Sequence, residues 1–248
     1  MIVIPMVGQS SRFFRSGYRK PKYQLQLDNT SVFEHAVSSF SRYFSDDTFR
    51  FLVRKDYGAA GFVADALHRL GVRHAEVLEF DQDTRGQAET VSCGLRDVPG
   101  NEPLYIFNID TFRPGFVKPD MASACDGYLE VFRGEGEHWS FVLPGEGGRV
   151  LRTTEKERIS DLCSDGLYYF RSKADFDAVF EEALREDDTV RGEFYIAPLY
   201  NRLIRDGKDV RYHLIDRDEV IFCGTPAEYE ALLASPGSGA AVSGQGFQ

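Results

Sequence analysis

The chain opens on an unbroken apolar run, Ile2-Val3-Ile4-Pro5-Met6, stopped by Gly8. A run without polar alternation fits a strand buried on both faces, as in the centre of a parallel sheet. Pro5 is expected at the end of this strand, where its missing N–H costs no ladder bond. After a polar loop, residues 31–43 place Val32, Phe33, Ala36, Val37 and Phe40 at helical spacing. With Thr30 or Ser31 as a cap and Glu34 in the first turn, a helix is predicted there. The alternation continues with a strand at 49–53, a helix at 57–70 closed by Gly71, and a strand at 75–80. A short helix at 87–95 and an apolar strand at 104–109 that runs into Asp110 follow. Strands and helices taking turns predict βαβ units, hence parallel strands with helices on both faces.

Beyond Asp110 the pattern changes. Residues 127–132, 139–143, 150–154 and 166–170 read as successive strands separated by turn residues, which should add antiparallel members to the same sheet. Helices at 174–185 and 193–205, a strand at 210–214 and a last helix at 227–234 complete the pattern. The expected fold class is α/β: a three-layer, Rossmann-like, mixed but mainly parallel sheet with helices on both faces. One domain over residues 1–234 is expected, followed by a flexible tail at 235–248, rich in Ser, Gly and Ala and poor in large apolar groups.

Composition narrows the function classes. The 248 residues, 42% of them hydrophobic, suffice for one well-buried α/β domain. A formal net charge of −10 argues against nucleic acid or an anionic membrane as partner, since both would repel the protein as a whole. No apolar run approaches the roughly 20 residues that span a bilayer. Cys93, Cys125, Cys163 and Cys223 lie far apart without zinc-site spacing, and nothing before Met1-Ile2-Val3 resembles a secretory leader. A soluble cytoplasmic protein with reduced thiols is the expectation.

Charge placement then points to chemistry. The loop Val7-Gly8-Gln9-Ser10-Ser11-Arg12 leaves the C-terminal end of the first strand, the edge at which open α/β sheets bind ligands. Glycine lets backbone approach a phosphate, serines offer donors, and Arg12 offers a planar fork for phosphate oxygens. Arg12, Arg15, Arg19, Lys20 and Lys22 fall together with no acidic residue before Asp28. Charge runs are usually solvated surface, but in so acidic a protein this one suits a bound polyanion such as a triphosphate. Asp110 closes an apolar strand at the same edge, where a single carboxylate suffices for Mg²⁺ that also takes phosphate oxygens and water. Gln87, following Gly86 at a helix start, carries a donor and an acceptor able to read a base edge.

Gly8-x-x-x-Arg12 followed by Lys20-Pro21-Lys22-Tyr23-Gln24 resembles the opening of the sugar-phosphate nucleotidyltransferases, and is similar to that of cytidylyltransferases acting on alcohol phosphates. The resemblance implies an enzyme that joins NMP from an NTP to a sugar 1-phosphate or similar phosphorylated small molecule and releases pyrophosphate, supplying nucleotide-sugars to surface polysaccharide synthesis. It implies catalytic contacts to phosphate from Arg12 and Lys22. Val7, Gly8, Gln9, Ser10, Ser11, Gly86, Gln87 and Asn108 would hold the nucleotide, and Asp110 in Asn108-x-Asp110 would hold Mg²⁺. Later motifs also resemble the family: Glu155-Lys156, Asp165-Gly166-Leu167-Tyr168-Tyr169-Phe170, and Arg191-Gly192-Glu193-Phe194-Tyr195 at the opening of a late helix. By them Glu155, Lys156, Asp165, Gly166 and Glu193 would bind the acceptor. Two departures stand out. Ser10 occupies a loop position where the family commonly has Gly. Phe222 replaces the acid two residues before Gly224-Thr225-Pro226, which leaves Asp216, Asp218 or Glu219 as substitute metal ligands. Two rivals remain open: a nucleotide-sugar-dependent glycosyltransferase, which normally shows Asp-x-Asp, and a catalytically idle nucleotide-binding module. The base, the acceptor and the oligomeric state are not written in these motifs.

Overall fold

The computed structural model describes residues 1–235. Of the expected tail, all but Ser235 lies outside the described residues.

The first apolar run forms β1 (Ile2–Met6), and its side chains alternate between two cores. Ile2, Ile4 and Met6 face one hydrophobic layer and Val3 the other. Pro5, expected at the end of the strand, is its penultimate residue. Ile2 N donates to Thr48 O on one side, so alternation aims the Pro5 nitrogen at the opposite neighbour, whose pairing stops at Val3. The polar loop expected between the first strand and residue 31 contains a short helix, α1 (Ser11–Arg15), anchored by the buried Phe13. A small hairpin, β2 (Gln26–Leu27) and β3 (Thr30–Ser31), leads into α2 (Val32–Ser38). The helix predicted to reach residue 43 ends at Ser38 and tightens into a 3₁₀ turn at Ser41–Tyr43.

The α2 cap is a reciprocal one. Ser31 Oγ accepts from Glu34 N, Glu34 Oε2 accepts from Ser31 N, and Arg69 Nε donates to Glu34 Oε1 at 2.9 Å. Ser31→Ala removes the cap and unsettles a buried carboxylate, so the mutant should lose about 1–2 kcal/mol in urea unfolding. A loss of a few tenths or less would show that water replaces the hydroxyl.

Next come β4 (Phe49–Arg54), α3 (Ala59–Leu70), β5 (Ala75–Phe80), α4 (Gln87–Gly94) and β6 (Leu104–Phe107). β6, β1, β4 and β5 lie side by side and all parallel. α2 and α3 cover one face; α4 covers the other. The second half contributes β7 (Thr111–Phe112), β8 (Gly127–Arg133), β9 (Ser140–Pro144), β10 (Val150–Glu155) and β11 (Leu162–Phe170). It continues with α5 (Lys173–Glu186), α6 (Tyr200–Arg205), β12 (Val210–Leu214), β13 (Ile221–Phe222) and α7 (Pro226–Ala234). β11 runs antiparallel to β6, β8 and β9, which joins the halves into one nine-stranded mixed sheet. β12, the strand expected at 210–214, adds to β8 in parallel.

The helix expected at 193–205 is much shorter. Pro198 lacks an N–H and its ring would clash with a carbonyl one turn back, so only a 3₁₀ turn (Ala197–Leu199) and α6 form. Glu193 therefore sits in a loop, bridged to Val190. The four cysteines are free thiols, as expected. Among the described residues no helix is long and apolar enough to cross a membrane.

Candidate active site

The residues after β1, α4's start and the end of β6 converge at one edge of the sheet. Val7 is buried, and Ser10 turns the chain with φ +50° at the start of α1. Ser10 Oγ accepts from Lys22 N at 3.2 Å, which ties the loop to the Pro21-Lys22 step. Phe13 packs edge-on against Tyr18 and Tyr229, so burial of one face of α1 leaves Arg12 exposed on the other. Lys22 begins a 3₁₀ turn whose buried Tyr23 and Gln24 fix its direction. Its Nζ meets Asp110 Oδ2 at 2.5 Å.

Asp110 stands just past the end of β6. Its carbonyl accepts from Cys223 N at 2.8 Å, and Gly224 lies so close that a Cβ there would be 2.8 Å from Oδ2. Burial pushes the Asp110 carboxyl up, but the Lys22 ammonium, backbone hydrogen bonding and the Arg12 guanidinium outweigh it and hold the group below its ordinary range. Asp110 is thus a carboxylate flanked by two cations.

A cavity of about 730 Å³ opens above these groups. Val7, Gly8, Gln9, Ser10, Ser11, Arg12, Arg15, Lys22, Gly86, Gln87, Asn108, Asp110 and Glu193 all line it. Arg19 and Lys20 line no described cavity and are exposed, so only part of the basic stretch faces the cleft. Gly86 has φ +123°, and an added Cβ would lie 2.5 Å from Phe194 O. Gln87 Nε2 donates to Asn108 Oδ1 at 2.6 Å, while Gln9 Nε2 reaches across the mouth to Asp83 Oδ2 at 2.8 Å.

A second cavity of about 210 Å³ adjoins it, sharing Arg12, Gln87, Asn108, Asp110 and Gly224. Glu155, Lys156, Asp165 and Gly166 line this one. Lys156, held at φ +60°, pairs with Glu155 Oε1 at 2.6 Å, donates to His138 O at 2.7 Å and lies 5.4 Å from the Tyr195 ring. Glu155 also accepts from Ser140 Oγ. Burial, with the charges of Glu193 and Glu155, pushes the Tyr195 hydroxyl up to about 12, so it stays a neutral donor. Asp165, only 2% exposed, lies beneath the cavity floor, and Gly166 at φ +94° packs on the Asn108 amide.

Phe222 is packed against Trp139 (4.7 Å between centroids) and Phe132, with Arg217 stacked over it. The substitute acids do not reach the site: Asp216 and Glu219 close a capping box, Glu219 pairs with Arg113, and neither they nor Asp218 line either cavity. Short range in sequence placed them near Phe222, but the 3₁₀ turn at Arg217–Glu219 carries them away. Among the described residues no group of three or more His, Cys, Asp or Glu side chains is arranged to hold a metal ion. The donor set present, one ionised Asp110 in a phosphate-sized cleft, fits a hard cation that keeps water and takes phosphate oxygens.

Sequence reasoning missed Ser140, Tyr195, Trp139 and Glu228, all of which line the smaller cavity. Glu228 had a signal: Thr225-x-x-Glu228 is a capping box, and Glu228 Oε2 accepts from the N–H groups of Gly224 and Thr225. Trp139 and Ser140 had none, because only the sheet order brings β9 beside β11.

No protein-family model and no curated protein sequence matches the chain. Solved structures do. A nucleoside-diphosphate-sugar pyrophosphorylase from Vibrio cholerae RC9 is 49% identical over 95% of this chain and 100% of its own, with a TM-score of 0.91. The inositol-1-phosphate CTP transferase of T. maritima (16% identity, 95% and 96% covered, TM-score 0.71) shares the fold. So does a UDP-glucose pyrophosphorylase solved with UDP-glucose (12% identity, 94% and 96% covered, TM-score 0.71). With half of its residues shared with a pyrophosphorylase along nearly all its length, the chain belongs to the sugar-phosphate nucleotidyltransferase family.

Proposed function

We propose that the protein transfers NMP from an NTP to a sugar 1-phosphate or a similar phosphorylated small molecule, releasing pyrophosphate. The observation that carries this reading is the Lys22–Asp110 pair with Arg12 beside it, at the seam of a larger and a smaller cavity. In this reading the NTP occupies the larger cavity, with its phosphates over the Gly8 to Arg12 loop and its base beside Gly86, Gln87 and Asn108. The acceptor occupies the smaller one, its phosphate toward Lys156 and Arg12 and its hydroxyls toward Glu155, while Glu193, expected on the acceptor side, lines the larger cavity. An oxygen of the acceptor phosphate forms a bond to the α-phosphorus as the α–β bridging P–O bond breaks, and pyrophosphate leaves with the electron pair. Lys22 and Arg12 stabilise charge on the phosphoryl oxygens; an unlike pair about 4 Å apart gains roughly 4 kcal/mol at an effective dielectric of 20. Holding both anions in line contributes roughly 7–11 kcal/mol of barrier lowering. Mg²⁺, bound through Asp110 and the triphosphate, would supply further charge neutralisation there. The product, an activated sugar or alcohol, suits a cytoplasmic supply to surface polysaccharide synthesis.

The test is pyrophosphate release from each of the four NTPs and dTTP against a panel of sugar 1-phosphates. Release with at least one pair is expected. Silence with every pair, with consumption of a nucleotide-sugar instead, would turn the reading to a glycosyltransferase. On the acceptor side, Lys156→Ala should raise the acceptor KM about tenfold to hundredfold, the equivalent of one charge-assisted hydrogen bond, with NTP affinity unchanged. An unchanged acceptor KM would remove Lys156 from the site.

A further inference from the structure

Behind the smaller cavity, β8 and β11 run antiparallel and their register slips between Ser164 and Tyr168. Two carboxyl groups face each other at this slip. Glu130 is 0% exposed and Asp165 2%, and each keeps one carboxyl oxygen without a hydrogen-bond partner. Glu130 Oε2 and Asp165 Oδ2 receive no hydrogen bond from an N–H or hydroxyl donor. The other two oxygens are taken: Arg113 Nε donates to Glu130 Oε1 at 2.7 Å and Leu167 N to Asp165 Oδ1 at 3.0 Å.

Ionised carboxylates only accept hydrogen bonds, so two unpartnered carboxyl oxygens buried on adjacent strands can satisfy one another only with a proton between them. Charge balance leads to the same place. Arg113 is shared with Glu219 at 3.1 Å. His213 Nε2 lies 3.8 Å from Glu130 Oε2 and adds charge only when protonated. The remaining facing groups, Tyr128 on β8 and Tyr168 on β11, are phenols whose hydroxyls burial pushes up, and they stay neutral. One fixed cation thus faces three carboxyl groups, two of them fully buried, and two adjacent buried negative charges are not sustained. Arg113 sits on the Glu130 side of the pair, while burial and the neighbouring Glu130 hold the Asp165 carboxyl well above its ordinary range.

We infer that Asp165 is a neutral carboxylic acid donating its proton to Glu130, and that this shared proton holds the β11 bulge which positions the Asn108–Gln87 wall of the cleft. The connection is short. Asp165 O accepts from Thr111 Oγ1 at 2.9 Å, Gly166 O accepts from Asn108 N at 3.1 Å, and the Gly166 Cα rests on the Asn108 side chain that accepts from Gln87. Asp165 is therefore a positioning residue, reached through the floor and not through the substrate, and its role stands on this geometry apart from the identity of the ligand.

Asp165→Asn keeps an N–H to donate to Glu130 and an oxygen for Leu167 N, but has no proton to lose. The folded wild-type protein binds a proton that the unfolded chain releases above the ordinary carboxyl range. Wild-type stability should accordingly fall relative to D165N as pH rises from that range toward the raised value. In urea unfolding of the full chain from about pH 5 to about pH 8, the ratio of wild-type to variant unfolding constants is expected to grow about tenfold per pH unit until Asp165 ionises. Infrared spectra at neutral pH should show a protonated-carboxyl band in the wild type that D165N lacks. A pH-independent ratio overturns the inference. So does a band that survives in D165N and disappears in Glu130→Gln, which would put the proton on the other partner. Should D165N fail to fold, the wild-type spectrum decides alone, and a missing band refutes the neutral acid.

Discussion

Lys22→Ala is expected to slow pyrophosphate release by about 10²–10³-fold, the effect of deleting one pre-aligned donor to developing charge. Lys22 and Asp110 meet with about a fifth to a quarter of each side chain exposed. Water can therefore solvate the carboxylate left behind, and the fold should survive. Loss of the ammonium also lets the Asp110 carboxyl drift back up toward its ordinary range, which weakens any cation held there. The measurement is steady-state pyrophosphate release alongside circular dichroism and NTP binding. Lys22→Met, which retains the apolar stem, serves as the second variant should alanine disturb the 3₁₀ turn. Near-normal turnover in either would remove Lys22 from the chemistry.

The second large effect belongs to Gly86→Ala. At φ +123° a side chain is strained before any contact is considered, and the new Cβ would lie 2.5 Å from Phe194 O and 2.6 Å from Phe194 N. Those are backbone atoms, and they are tied: Phe194 N donates to Arg85 O at 2.6 Å and Ala88 N to Phe194 O at 3.0 Å. The start of α4 must therefore separate from the 193–196 loop, at a cost of about 3 kcal/mol or more, and Gln87 moves with it. Gly115→Ala is the control, since Gly115 has φ +72° but open space around it, and should show strain alone. Equal losses in the two variants, measured by urea unfolding, would mean that the Phe194 contact yields freely. If G86A destabilises but still binds NTP normally, Gly86 supports the fold and not the base.

Much of the site was legible because it lies close to the sheet edge in sequence. Gly8 to Arg12 and Asp110 follow apolar strands whose periodicity is plain, and parallel topology delivers strand ends to one side. The misreadings share one cause, local signals overruled by specific geometry. Residues 193–205 carry helical spacing, yet Pro198 confines the helix to the last turns. The basic stretch looks uniform, yet packing of Phe13 and Tyr23 sets Arg12 and Lys22 along the cleft beside Asp110 and leaves Arg19 and Lys20 away from it. Asp165 reads as one more polar group in a motif, and its burial against Glu130 joins residues on strands far apart in sequence.

By itself, the order of apolar and polar residues determined the layers, the parallel core, and where the Gly8 to Arg12 loop leaves the sheet, because those depend on local periodicity and charge. Tertiary structure alone decided which cations meet Asp110, that Phe222 joins an aromatic stack in place of an acid, and that two carboxyls lie buried together. Such facts depend on distances between segments far apart along the chain, and those distances exist only once β11 has joined the two halves of the sheet.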